Sequence, residues 1–187
     1  MTQTQMQSNQ AGAVVTPNAY GQLIEPATLE IQRILPGPIE RVWTYLTDAD
    51  KRSEWLAGGV MGDAAGTQVE FVWRNSELTD PPGDKPDGFG EEHRMTATVT
   101  EYDPPRRLAF TWDESGDVSI DLEPRGDRVL LTLVHRRLPR RSMLVGVSSG
   151  WHAHLDVLVA RLEERAPAPF WNAWAGLKAE YERRIPE

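Results

Sequence analysis

The 187-residue chain contains no cysteine. That absence removes disulfides, thiolate metal ligands and a cysteine nucleophile together. Basic charge is also short: 28 acidic residues against 20 basic ones leave a formal charge of −8. A nucleic-acid backbone meets net repulsion, and no long basic stripe offsets it. No apolar run is long enough to span a bilayer. The first basic residue is Arg33, with no apolar run of useful length before it, so no secretory signal is read at the start. These absences point to a cytoplasmic protein with no nucleic-acid partner and no membrane insertion.

What is present is a globular mixture, 40% hydrophobic and 26% charged, with seven Trp. The length suffices for one buried core and falls short of two ordinary domains. Residues 1–26, rich in Thr, Gln, Asn and Ala, show no periodicity and read as a disordered tail. From residue 27 the pattern alternates, with Leu29 and Ile31 apolar and Glu30 and Gln32 polar. Ile39, Val42, Trp43 and Leu46 then fall on one face of a short helix, and a second short helix ends before Gly58 and Gly59. Strand patterns follow at Val69-Phe71-Trp73, Met95-Ala97-Val99, Leu108-Phe110-Trp112, Val118-Ile120-Leu122 and Val129-Leu131-Leu133. Short turns between them imply an antiparallel meander, and the Pro-rich segment 75–88 reads as a long exposed loop. Met143, Val147, Trp151, Leu155, Leu158 and Leu162 recur at helical steps over about five turns. Pro167 and Pro169 end that helix. Residues 167–187 form an amphipathic helical extension with Trp171, Trp174, Leu177 and Tyr181 on one side.

Local motifs sharpen this order. Pro38, Val42-Trp43, Leu46-Thr47-Asp48 and Trp55 resemble the opening of the family named for activators of heat-shock-protein-90 ATPase. Tyr102-Asp103-Pro104-Pro105-Arg106-Arg107-Leu108, leading to Phe110-Thr111-Trp112, is similar to its mid-sheet hairpin. Gly150-Trp151, Leu155-Asp156 and Leu158 resemble its terminal-helix motif. The resemblance runs from about residue 27 to 165. It implies an α+β helix-grip (START/Bet v-like) fold: a curved antiparallel sheet wrapped around a long C-terminal helix, with two short helices after the first strand. Residues 27–166 would form this domain.

Such a fold implies a cavity between sheet and helix. Phe71, Trp73, Met95, Phe110 and Trp112 are expected on one wall, and Trp151, Leu155 and Leu158 on the other. Strict alternation also sends Glu91, His93 and His135 inward, and His154 sits beside the helix stripe. Each His is either a hydrogen-bonding or proton-exchanging group or a water-satisfied residue at an element's end. His152 and His154 are two apart and diverge on a helix, so no metal or other cofactor is expected. Gly146-Val147-Ser148-Ser149-Gly150 matches a serine-nucleophile pattern, but it lies inside the helical stripe, where small residues would let helix and sheet approach closely. Arg136, Arg137, Arg140 and Arg141 either hold an anion or balance nearby acids. The Trp171/Trp174/Tyr181 stripe packs on its own domain or on a second copy, leaving monomer or homodimer open. Three functions follow. The leading one is non-catalytic binding of a small hydrophobic ligand; the others are cyclase- or dehydratase-like catalysis with His93 or His135 as general base, and a chaperone-interacting module.

Overall fold

The alternating segments pair into one sheet. The computed structural model describes residues 20–25, 27–112 and 116–186. Its strands are β1 (Gln22–Glu25), β2 (Thr28–Pro36), β3 (Gln68–Trp73), β4 (His93–Asp103), β5 (Arg107–Trp112), β6 (Gly116–Arg125) and β7 (Arg128–Arg136). They run antiparallel in the order β1-β2-β7-β6-β5-β4-β3. Helices α1 (Ile39–Thr47) and α2 (Ala49–Ser53) follow β2, and α3 (Arg141–Leu162) and α4 (Phe170–Arg184) close the chain. This is the α+β helix-grip arrangement.

The sheet's inner face is continuous. Leu29, Ile31 and Leu35 of β2, Val118, Ile120 and Leu122 of β6, and Leu131 and Leu133 of β7 are each at most 3% exposed. The β6–β7 turn consists of Gly126 and Asp127 between paired Arg125 and Arg128. Gly126 has φ +64°, a conformation a tight hairpin needs at its first central residue and glycine adopts without cost. Along α3, every residue from Trp151 to Ala160 except Asp156 is buried. A helix with only one apolar stripe would leave half of these wet; α3 is covered on one side by the sheet and on the other by α4. Arg33, on the inner face of β2, is 0% exposed and donates to Asp156 of α3 at 3.2 Å. The pair fixes where the helix crosses the sheet, and its net stabilisation is small because both groups lose hydration.

Two expectations need correction. Gln22–Glu25, inside the stretch read as a tail to residue 26, forms edge strand β1, with Gln22 opposite Glu30 and Leu23 opposite Leu29. All four side chains are exposed, so backbone pairing holds the strand and no buried face marks it in the sequence. Residues 1–19 and Pro26 of that stretch lie outside the described residues. The 75–88 segment is also less free than its prolines suggest. Leu78 is 3% and Thr79 6% exposed, and the segment supplies the cap that α4 lacks. The Phe170 N–H donates to Thr79 Oγ1 at 3.0 Å and the Trp171 N–H to the Pro82 carbonyl at 2.9 Å. These are orphan donors of a helix start that Pro169 cannot satisfy with a side chain.

The Trp-bearing face of α4 packs inward: Phe170, Trp171 and Tyr181 are 1–2% exposed. Tyr181 closes a chain of hydrogen bonds. Its hydroxyl accepts from the Gly21 N–H at 2.7 Å and lies 3.1 Å from His152 Nδ1. Burial, with Arg33 and Arg184 nearby, pushes His152 down to about 3. Among the described residues no helix is long and apolar enough to cross a membrane.

Candidate ligand-binding cavity

Three strand ends meet at one end of the grip, because β3 finishes at Trp73, β4 starts at His93 and β5 finishes at Trp112. Trp73 pairs with His93 in register, and their rings stack with centroids 5.5 Å apart. Trp112 stands edge-on to Trp73 at 5.7 Å and lies 5.4 Å from Trp151 of α3. These rings border a cavity of about 460 Å³, with Gly146, Val147 and Gly150 supplying much of its helix side. Leu56, Met95 and Phe89 complete its apolar lining.

The glycines do not bring helix and sheet together. A Cβ placed on Gly146 or Gly150 meets nothing within 4 Å, so both border open space. Ser148 and Ser149 between them are mid-helix and fully buried, and Ser149 Oγ donates to the Val145 carbonyl at 2.6 Å. No strand-to-helix turn presents either hydroxyl, so the nucleophile pattern has no structural counterpart.

Polar groups are few. His154 Nδ1 lies 2.8 Å from the Trp55 carbonyl oxygen. A carbonyl only accepts, so Nδ1 carries the proton and Nε2 is a bare acceptor on a residue that lines the cavity. Burial pushes this imidazole down to about 4, so it is neutral at pH 7. Asn75 also lines the cavity, and its Oδ1 is buried with no partner. At the rim, Glu92 is held by Arg74 and Arg94, each at 2.6 Å. Their hydrogen bonds keep its carboxyl below the usual range, Arg94 contributing most. No Lys or Arg lines the cavity.

Six of the eleven residues expected at the site border this space: Trp73, His93, Met95, Trp112, Trp151 and His154. The other five do not. Phe71, Phe110, Leu155 and Leu158 are at most 1% exposed in the solid core behind it. Phe71 packs on Phe110 at 5.1 Å and on Trp73 at 5.4 Å. The cavity therefore occupies one end of the grip rather than its length. His135 points inward as alternation requires but is sealed at 0% exposure. Its Nδ1 accepts from the Trp151 indole N–H at 3.1 Å, which leaves the proton on Nε2. Burial drives this ring down to about 4. It supports Trp151 instead of meeting the cavity. Glu91 is exposed and pairs with Lys85.

The basic loop is occupied by its own neighbours. Arg136 and Arg137 reach Asp117 at 3.2 and 2.9 Å. Arg141 donates to the carbonyls of Glu182, Ile185 and Pro186, a cation at the negative end of α4. Among the described residues no cluster of three or more His, Cys, Asp or Glu could hold a metal ion.

Pattern reasoning missed Phe89, Asn75 and the two glycines. Gly88-Phe89-Gly90, an aromatic bracketed by glycines in a polar loop, was the available signal for the first. Arg33 was legible too, at the third place of the 29/31/33/35 alternation.

No curated protein matches the chain. A Bordetella parapertussis protein solved by solution NMR is 36% identical, with a TM-score of 0.76, over 93% of this chain and 97% of that one. CalU16 from Micromonospora echinospora shares the fold at 20% identity, TM-score 0.61, over 86% of this chain and 89% of its own. A conserved protein of unknown function from Enterococcus faecalis does so at 21% and 0.65, over 88% of each chain. The family model described as activator of Hsp90 ATPase homolog 1-like protein matches residues 36–163. With two thirds of its length matched and a 36% identical relative spanning nearly all of it, the chain belongs to the activator of Hsp90 ATPase homolog 1-like family.

Proposed function

We propose that the protein binds a neutral, flat aromatic molecule bearing a hydroxyl or N–H group, without transforming it. The observation that carries this reading is the pairing of an aromatic wall with one buried acceptor-only nitrogen, His154 Nε2. Trp73, Trp112 and Trp151 offer ring faces and edges, which favour stacked or edge-on aromatic partners. Gly146 and Gly150 leave the helix side without projecting side chains. A donor on the ligand would satisfy His154, whereas a carboxylate would meet Glu92 at the rim with no Lys or Arg in the lining to neutralise it. An imidazole held near pKa 4 is a poor proton acceptor at neutral pH, which favours binding over catalysis. His135, sealed behind Trp151, offers no base, which leaves His93, an exposed residue at the cavity border whose ring stacks on Trp73, as the one candidate for the catalytic alternative.

Quenching of Trp emission by 2-naphthol, naphthalene and 2-naphthoate tests the reading. One net hydrogen bond of about 0.5–1.5 kcal/mol makes 2-naphthol bind several-fold tighter than naphthalene, with 2-naphthoate weakest. His154→Leu should erase the difference between the first two. Tightest binding by the naphthoate would refute the donor rule. If no compound gives saturable quenching, the cavity reading fails, and the chaperone-facing surface suggested by the family's name moves ahead.

A further inference from the structure

Helix α4 contributes no residue to the cavity lining, yet it is tied to the cavity mouth at several points. Phe89 lines the cavity and is 42% exposed. Its ring lies 5.0 Å from Trp171 and 5.1 Å from Trp174 of α4. Gly88 before it has φ +90°, and a Cβ at Gly88 meets nothing within 4 Å. The chain can therefore swing there without a packed side chain to drag. On the N-terminal side the same loop is bolted to α4. Beyond the two caps already described, the Asp84 N–H donates to Asn172 Oδ1 at 2.6 Å. Phe89 is thus a partly exposed aromatic on a glycine-flanked tip, with the cavity on one side and two α4 indoles on the other.

We propose that Phe89 is a gate lying across part of the open mouth of the cavity and that Trp171 and Trp174 hold it there. Swinging Phe89 aside to widen the mouth then breaks its ring contacts with Trp171 and Trp174, so admission of a bulky ligand is coupled to loosening of that helix. Contacts shared between two elements couple them reciprocally: a ligand that holds the gate closed protects α4, and a weakened α4 speeds exchange. The proposal rests on the binding reading for what passes through, and on geometry alone for the gate.

The absence of cysteine supplies a ligand-free test. Gly150→Cys puts a single thiol on the cavity wall, and its reaction with 5,5′-dithiobis(2-nitrobenzoate) reports opening. Adding Phe89→Ala or Trp174→Ala should speed labelling about tenfold, while Trp174→Phe, which keeps a ring, should restore the slow rate. Leu158→Cys in the packed core is the control, and the same gate changes should leave its labelling unaccelerated. Equal rates with and without the gate changes overturn the proposal. So does equal acceleration at both thiols, which would mean general loosening. Saturating 2-naphthol should slow labelling of the Gly150→Cys protein. If it does not, although the gate variants speed it, the ligand reading fails while the gate stands.

Discussion

Gly150→Leu should make the protein more stable and less able to bind. Gly150 is interior to the 22-residue α3, where glycine is about 0.8–1.0 kcal/mol less favourable than alanine and leucine is close to alanine. The backbone gain is therefore about 0.7 kcal/mol. The side chain enters a space where a Cβ touches nothing within 4 Å. Full burial of leucine gives about 1.5–3 kcal/mol, and partial burial against the aromatic wall about 1. The sum, about 1.5–2 kcal/mol, raises Tm by about 3–8 °C for a chain of this size. The added carbons take up part of the roughly 460 Å³ cavity, so 2-naphthol affinity should fall at least tenfold. Urea midpoints and quenching titrations on parent and variant measure both effects. Destabilisation would mean that the position is already packed and that the cavity reading is wrong. A stabilised variant with undiminished affinity would place the binding site elsewhere.

Leu158→Trp should destabilise by about 1–3 kcal/mol or more, since Leu158 is 0% exposed in solid core and overpacking forces neighbours off their rotamers; an unchanged urea midpoint would reveal space there. Trp171→Ala should cost about 3–5 kcal/mol, losing both a side chain 2% exposed and its indole bond to Ser76 Oγ; a loss under 1 kcal/mol would show α4 to be loosely docked. Acid should unfold the protein early, because His135, His152 and His154 sit near 4, 3 and 4 and all rise to about 6.5 on unfolding. Their contribution is complete above pH 6.5 and is lost as pH falls towards 4, at about 1.4 kcal/mol per unit for each buried ring; urea midpoints that stay level from pH 7 to 5 would contradict this.

The strands and helices were legible because their signals are periodic and redundant. Ile120 faces inward by the same rule as Val118 and Leu122, and β6 is long enough for the rule to be checked within itself. Strand β1 escaped because exposed pairing leaves no apolar alternation at all. At the site, sequence placed Trp73, Met95, Trp112 and Trp151 on inner faces but could not say how far along the grip the filling stops. That boundary depends on whether side chains from β3, β5 and α3 meet. Phe71, Phe110, Leu155 and Leu158 share one buried cluster, whereas towards the start of α3 stand Gly146 and Gly150, which leave Trp151, 5.4 Å from Trp112, beside open space. An absent side chain has no period, and a tertiary void has no local signature.

The void is bordered by features that weaken a fold. Two interior helical glycines cost about 1 kcal/mol each relative to alanine. Asn75 keeps a buried oxygen without a partner, at a cost of about 1–3 kcal/mol. Phe89 leaves a large apolar ring partly in water. Within the same interior, a short distance along α3, Leu155, Leu158 and Leu162 pack to at most 2% exposure, so this fold fills its grip readily where filling is all that is required. Buried polar atoms without partners also occur away from the cavity, at His135 Nε2 and Ser148 Oγ, but two helical glycines, open space and a half-exposed aromatic coincide here, which supports the binding reading. Bound ligand would offset part of this at once: a donor for His154, ring contacts for Phe89, and mass against the bare helix wall.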